Sequence, residues 1–188
     1  DDAESDGFIY SLYGDLLEGR VERPLLSQIL KNAGVYQDDA ARTISLFESL
    51  PRTEVAVERI FIRLDRRSPP RRFERYGPRL VPIYNYFQAA LVLFEDQRLD
   101  ASSVVRVAVE MVDKHLYSLE ALRNSLQDLL RRGRLRGETL RSLGGAIAGG
   151  EKTGDERFTL STLGPGLGEL PGTRETLRAL AHGLRDLG

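Results

Sequence analysis

Apolar residues recur along the first 150 positions at steps of three and four, the period of helices that bury one face. Phe8, Ile9, Leu12, Tyr13, Leu16 and Leu17 form a first stripe, and Leu25, Leu26, Ile29, Leu30 and Ala33 a second. Ala40, Ile44 and Phe47 form a third, closed by Pro51, and Val57, Ile60, Phe61 and Leu64 a fourth. Tyr84, Phe87, Leu91 and Phe94 form a fifth, entered through Pro82, because a first helical turn has no use for the N–H that proline lacks. Leu116, Leu119, Leu126, Leu129 and Leu130 make a seventh, and Leu140, Leu143 and Ile147 an eighth. Thr173 is placed to cap a last helix through Leu177, Leu180 and Leu184. The sixth stripe reads two ways. Val104, Val105, Ala108, Met111 and Val112 suit a helix, whereas Val105, Val107, Val109 and Met111 alternate as β-branched strands do. Helix is the expectation, because Asp100 and Ser102 precede the run as caps and no second strand is in view to pair with it.

Short joints at residues 18–23, 51–53, 96–101 and 132–137 couple the stripes into pairs. Three joints share an order of residue types: Glu18-Gly19-Arg20-Val21, Asp96-Gln97-Arg98-Leu99 and Arg132-Gly133-Arg134-Leu135. Their spacing fits a unit of about 36–40 residues repeated four times. The pattern predicts an all-α fold of four helix–loop–helix pairs in two lobes, residues 1–65 and 80–149. An Arg/Pro-rich linker, 66–79, joins the lobes; a Gly-rich flexible segment, 150–172, and a terminal helix, 173–188, follow them. The glycine-rich character begins at 144, where mobility is already expected. A short α-solenoid, with the pairs stacked in a row, is the alternative architecture.

Helix pairs whose joints carry a glycine and then an aliphatic residue resemble an EF-hand array over residues 8–149. Gly19 and Val21, and Gly133 and Leu135, take the glycine and aliphatic places; Leu99 takes the aliphatic place of a third loop, with Gln97 where the glycine belongs. Residues 16–34 are also similar to the helix–glycine–helix segment of tellurite-resistance TerB-type domains and to the regulatory helical region that precedes glutaminase catalytic domains. Calcium binding is not expected from the EF-hand resemblance. Calcium requires several oxygen ligands in a loop that ends in a bidentate Glu. The ligand places here hold Gly14, Leu16, Glu18 and Leu25; Val92, Phe94, Asp96 and Ser103; and Asp128, Leu130, Arg132 and Thr139.

Composition narrows the chemistry. The 188 residues include no cysteine and two histidines, His115 and His182, so thiol chemistry is excluded and a histidine metal site is not expected. Asp113 is close enough in sequence to orient His115, and Asp96 and Asp100 bracket a joint, but the bland readings, a solvated histidine and a helix cap, account for them. Residues 145–153, GAIAGGEKT, approach a phosphate loop, yet Glu151 occupies the lysine place and no strand precedes them. No cofactor or catalytic group is predicted. No apolar run reaches 18 residues, and a cytoplasmic location is the expectation. The sequence begins at Asp1 and holds one methionine, Met111, which suggests a processed or excised piece.

Charge is balanced overall, 27 bases against 28 acids, but unevenly placed. The first 22 residues hold seven acids and only Arg20, a net of −6. Residues 63–79 are +5 and residues 131–141 are +4. The functional expectation is a non-catalytic protein-interaction or regulatory module that takes a partner helix in an apolar groove. The candidate contact residues are Arg66, Arg67, Arg71, Arg72, Phe73, Arg75 and Tyr76, with Arg131, Arg132 and Arg134. Arginine grips a protein carboxylate in two places at once. The alternative is a nucleic-acid or anionic-surface binder, in which the same arginines grip phosphates and Phe73 and Tyr76 stack on bases. A terminal segment, 173–187, folded back into the groove as a plug is a further expectation.

Overall fold

The computed structural model describes residues 5–65 and 68–153, with the backbone alone over 147–153. It is mostly helical. The chain divides into two compact units, Asp1–Ile83 and Tyr84–Gly188. The N-terminal unit contains α1 (Asp6–Leu17), α2 (Arg23–Asn32), α3 (Gln37–Ser49), strand β1 (Ile60–Arg63), a 3₁₀ helix (Pro70–Tyr76) and strand β2 (Leu80–Ile83). The C-terminal unit contains α4 (Tyr86–Glu95), α5 (Ala101–His115), α6 (Leu119–Arg131) and α7 (Gly137–Thr153). Residues 104–112 are therefore helix, capped by Asp100, whose side chain accepts from the Ser103 N–H at 2.7 Å. The expected terminal helix, 173–188, lies outside the described residues.

Four expectations are corrected. The fourth stripe is a strand and not a helix. Ile60, Ile62 and Leu64 alternate with outward residues and are buried, and β1 pairs in parallel with β2 in the register Ile60 to Leu80 through Arg63 to Ile83. A run of β-branched and aromatic residues favours this pleated, half-buried surface. The described part of the expected linker, 68–79, consequently lies inside the N-terminal unit and does not link two lobes. It belongs to the crossover that parallel strands require, and the 3₁₀ helix within it buries Phe73 against Ile60, Ile62, Leu64 and Leu80. Pro82 sits inside β2, opposite Ile62, so α4 starts later than expected. Asn85 caps it, accepting from the Gln88 N–H at 3.1 Å. Lastly, residues 144–153 continue α7 and do not loop. Glycine disfavours helix by about 1 kcal/mol per residue, but Leu140 and Leu143 anchor this helix in the core, and packing prevails over propensity.

The shared order at three joints is the chemistry of ending a helix. In the first, Gly19 adopts φ +70° and donates to the Leu16 carbonyl, while the Arg20 N–H reaches back to the Asp15 carbonyl at 2.8 Å. The same pair of bonds recurs from Gln97 to Phe94 with Arg98 to Leu93, and from Gly133 to Leu130 with Arg134 to Leu129. This left-handed cap satisfies carbonyls that the helix leaves unbonded, and the aliphatic residue that follows re-enters the apolar interior. Val21 and Leu135 are buried accordingly. Gln97, at φ +59°, and Leu116, at φ +55°, hold the left-handed conformation without being glycine. Gln97→Gly and Leu116→Gly should each stabilise the C-terminal unit by about 0.5–1 kcal/mol, read from urea midpoints; unchanged midpoints would show that neither position is strained.

In the C-terminal unit α4 packs on α5 and α6, and α5 on α7. A polar network crosses this interior. The buried Gln88 side chain accepts from the Tyr84 N–H at 2.7 Å and donates to the Ser125 carbonyl at 2.8 Å and to Asp128 Oδ2 at 2.9 Å. Asn85 Nδ2 donates to Ser125 Oγ at 2.7 Å. Every polar atom of Gln88 is thereby matched, which a buried amide requires.

Candidate protein-docking face

Helix α1 is built with its polarity reversed. Its buried residues are Gly7, Ser11 and Gly14, which stand on one face at i, i+4 and i+7. Its large apolar residues point out: Phe8 is 42% exposed, and Ile9, Tyr10 and Tyr13 are each 52% exposed. The first stripe is thus not a core stripe throughout. Leu12, Leu16 and Leu17 are partly buried, the first two against the cluster of Val21, Leu26 and Phe47. Among the described residues no other helix or strand exposes more than one large apolar side chain within its bounds; Tyr36 and Leu116 stand at helix ends.

The small residues explain why α1 lies this way round. A Cβ built on Gly7 comes within 3.2 Å of the Tyr76 ring and 3.3 Å of Leu80, so the helix backbone approaches the 3₁₀ helix and β2 more closely than a larger residue allows. A Cβ on Gly14 comes within 2.9 Å of Arg79 Nη1. Arg79 is the bolt on this side. Its Nη1 donates to both oxygens of Glu18, at 3.1 and 3.0 Å, and its Nη2 to Asp15 Oδ1 at 2.7 Å and to the Ser11 carbonyl at 3.3 Å. The Glu18 side chain is 2% exposed and that of Arg79 15%. Glu18 also accepts from the N–H groups of Ala56 and Val57, at 3.1 and 3.4 Å, and pairs with Arg20. One carboxylate thus ties the end of α1 to the segment before β1 and, through Arg79, to β2. Burial pushes its pKa up, but the two backbone N–H groups, Arg79 and Arg20 outweigh burial and hold it below the ordinary glutamate value.

The residues singled out in the sequence are dispersed. Arg66 and Arg67 lie outside the described residues. Arg71 and Arg72 are exposed, Phe73 is core, and Tyr76 packs beside it with the Arg75 guanidinium 5.0 Å above its ring. In the C-terminal unit Arg131 donates to Gln127 at 3.2 Å and Arg132 pairs with Asp128. The Arg134 N–H closes the helix cap described above, and its side chain is partly exposed.

The titratable candidates do not converge either. Asp100 opens α5 and Asp113 and His115 close it, about 20 Å apart at 1.5 Å per residue. Asp100 is held below its ordinary pKa by the Ser103 N–H, then by Ser102 and Ser103 hydroxyls, against burial. A cavity of about 550 Å³ opens between Gln97, Arg98, Asp100, Thr139 and Ser142, with Glu95 and Arg136 paired at its wall. Burial raises the Glu95 pKa, and the Thr139 hydroxyl and the Arg136 N–H and guanidinium lower it further than burial lifts it. Carboxylates stabilised in their charged form serve as structural ties and are poor proton donors at neutral pH. Among the described residues no group of three or more His, Cys, Asp or Glu is placed to hold a metal ion, and no helix is long and apolar enough to cross a membrane. Residues 145–153 are helical, so they form no phosphate-cradling loop.

No protein-family model, curated protein or solved structure matches this chain. The α1 face escaped the sequence reading because large apolar residues at helical spacing predict a buried side. The contrary signal was the small-residue line Gly7, Ser11, Gly14 on the opposite side of the same helix.

Proposed function

We propose that the chain is a non-catalytic protein-interaction module whose N-terminal unit receives a partner helix along the outer face of α1. The observation that supports this is the reversed polarity of α1: small residues inward, Phe8, Ile9, Tyr10 and Tyr13 outward. Ile9 and Tyr13 stand one turn apart on the exposed side of α1, and exposed apolar side chains so placed, tyrosine above all, suit burial by a partner. The Glu18–Arg79 tie holds the helix in place, so the face is presented preformed and little ordering is needed on binding. The anionic-surface reading has less support, because Phe73 is committed to the core and Arg132 to Asp128.

The test is retention of binding proteins by the immobilised full-length chain and by an Ile9→Glu/Tyr13→Glu variant of equal thermal midpoint. Proteins held by the wild type should fall about tenfold or more on the variant, a loss of at least roughly 1.4 kcal/mol of binding. Equal retention by the two would end this reading.

A further inference from the structure

The small sheet of the N-terminal unit has an edge that no other strand covers. Its ladder runs from the Ile60 N–H to the Arg79 carbonyl at 3.0 Å and from the Leu64 N–H to the Ile83 carbonyl at 2.7 Å. Ile60, Ile62 and Leu64 therefore turn their backbone groups toward β2, and Phe61 and Arg63, between them, turn theirs the other way. The sheet ends at β1, and among the described residues nothing bonds to Phe61 or Arg63 on that edge. On β2 the outward residues are Leu80 and Pro82; both have partners, and proline has no N–H to offer. Phe61 is partly exposed and Arg63 exposed, and their side chains stand on the same side of the sheet. Arg63 makes no ion pair among the described residues.

Independently of the α1 face, we infer that the free edge of β1 takes an extended acidic peptide segment of a partner protein as a third strand. An edge of unpaired N–H and C=O groups is a template for another strand, and the backbone of the segment bonds to Phe61 and Arg63. Side chains of adjacent strands stand about 5 Å apart. The segment accordingly sets an apolar residue beside Phe61 and, two positions along, a carboxylate beside the uncompensated Arg63 guanidinium. A second copy of β1 brings only Phe61 and Arg63 to those places, and Asp65 beyond it already has a partner. It leaves the arginine charge unmatched, which the acidic segment does not.

Fluorescence anisotropy of the full chain with a labelled peptide that repeats the order Thr-Val-Thr-Glu tests this. The peptide should bind with a dissociation constant of about 1 mM or tighter, and its Thr-Val-Thr-Lys counterpart at least roughly tenfold more weakly. Arg63→Glu should reverse that preference. Methylating alternate backbone nitrogens of the glutamate peptide should abolish binding for the set that faces β1 and spare it for the other set. No binding at about 1 mM overturns the inference, as does a preference that Arg63→Glu leaves unchanged. Equal effects of the two methylated sets show that the peptide does not join as a strand, and overturn it too. If the chain alone sediments as a dimer that Phe61→Pro dissolves, by removing only an outward N–H, the edge belongs to a second copy and the acidic segment falls. None of these results touches the α1 reading, whose test changes Ile9 and Tyr13.

Discussion

An Arg79→Met variant is expected to lose about 3–5 kcal/mol of stability in the N-terminal unit, because removing one partner of a buried ion pair leaves the other charge uncompensated. Methionine keeps the apolar stem of the side chain and removes only the guanidinium. Glu18, almost fully buried, would keep the Ala56 and Val57 N–H groups and Arg20 but lose its bidentate partner, and Asp15 would lose its own. Urea unfolding followed by circular dichroism gives the magnitude. The pH dependence identifies the cause. The folded-state pKa of Glu18 lies below its ordinary value, so its contribution is present at neutral pH and is lost as pH falls through that folded value. The deficit of the variant should therefore be largest near pH 7 and shrink under acid conditions. A deficit independent of pH would place the effect in packing and not in the ion pair.

Gln88→Glu should be nearly as damaging to the C-terminal unit, about 3–5 kcal/mol near pH 7. The substitution changes almost no volume. It replaces the amide that donates to Asp128 Oδ2 at 2.9 Å and to the Ser125 carbonyl with an oxygen that can only accept while ionised. Burial and the neighbouring Asp128 carboxylate both disfavour the new charge and raise its folded-state pKa. The sign follows: the variant is fully relieved below the unfolded-state value of about 4.3 and is progressively penalised as pH rises through the folded-state value. Gln88→Leu, which removes the polar atoms altogether, should cost less, about 2–3 kcal/mol, chiefly for the stranded Tyr84 N–H and Asp128. If the Glu and Leu variants proved equally stable at neutral pH, Gln88 would not be bonded as described.

Much of the helical architecture is legible in the sequence, because amphipathic spacing survives wherever one helix face is buried and the other solvated. Leu119 to Leu130 and Leu140 to Leu143 behave so. Period fails where burial is two-sided or inverted. Ile60, Phe61 and Ile62 satisfy a helical step and a strand step equally, and only their pairing with Leu80, Val81 and Pro82, some 20 residues on, decides between them. The joint order was visible as a repeat, and its cause, a left-handed helix cap followed by a buried aliphatic residue, emerges from backbone geometry. Gln97 shows that the geometry, and not the glycine, is what the joints have in common.

The candidate site was harder to read. Glu18 and Arg79 are 61 residues apart and look like any surface charges until the fold brings them to 3.0 Å. The arginines that stood out in the sequence did so by density, which reports neither exposure nor availability. Arg79 belongs to that dense run and is the one most committed to holding α1. Ile9 and Tyr13 were read as part of a core stripe for their helical spacing, although Gly7, Ser11 and Gly14 are the buried residues of α1, and Gly7 lets it sit close to β2.

Urea unfolding of two variants, at protein concentrations below about 1 µM so that association does not add to stability, decides which side of α1 faces the interior. Ile9→Glu/Tyr13→Glu should remain within about 0.5 kcal/mol of the wild type, as substitutions on a solvated helix face do, while Gly14→Leu should lose about 2 kcal/mol or more by displacing Arg79. A large loss in the first variant and none in the second would mean that the aromatic face is the core side of α1 and that there is no outward face for a partner to meet.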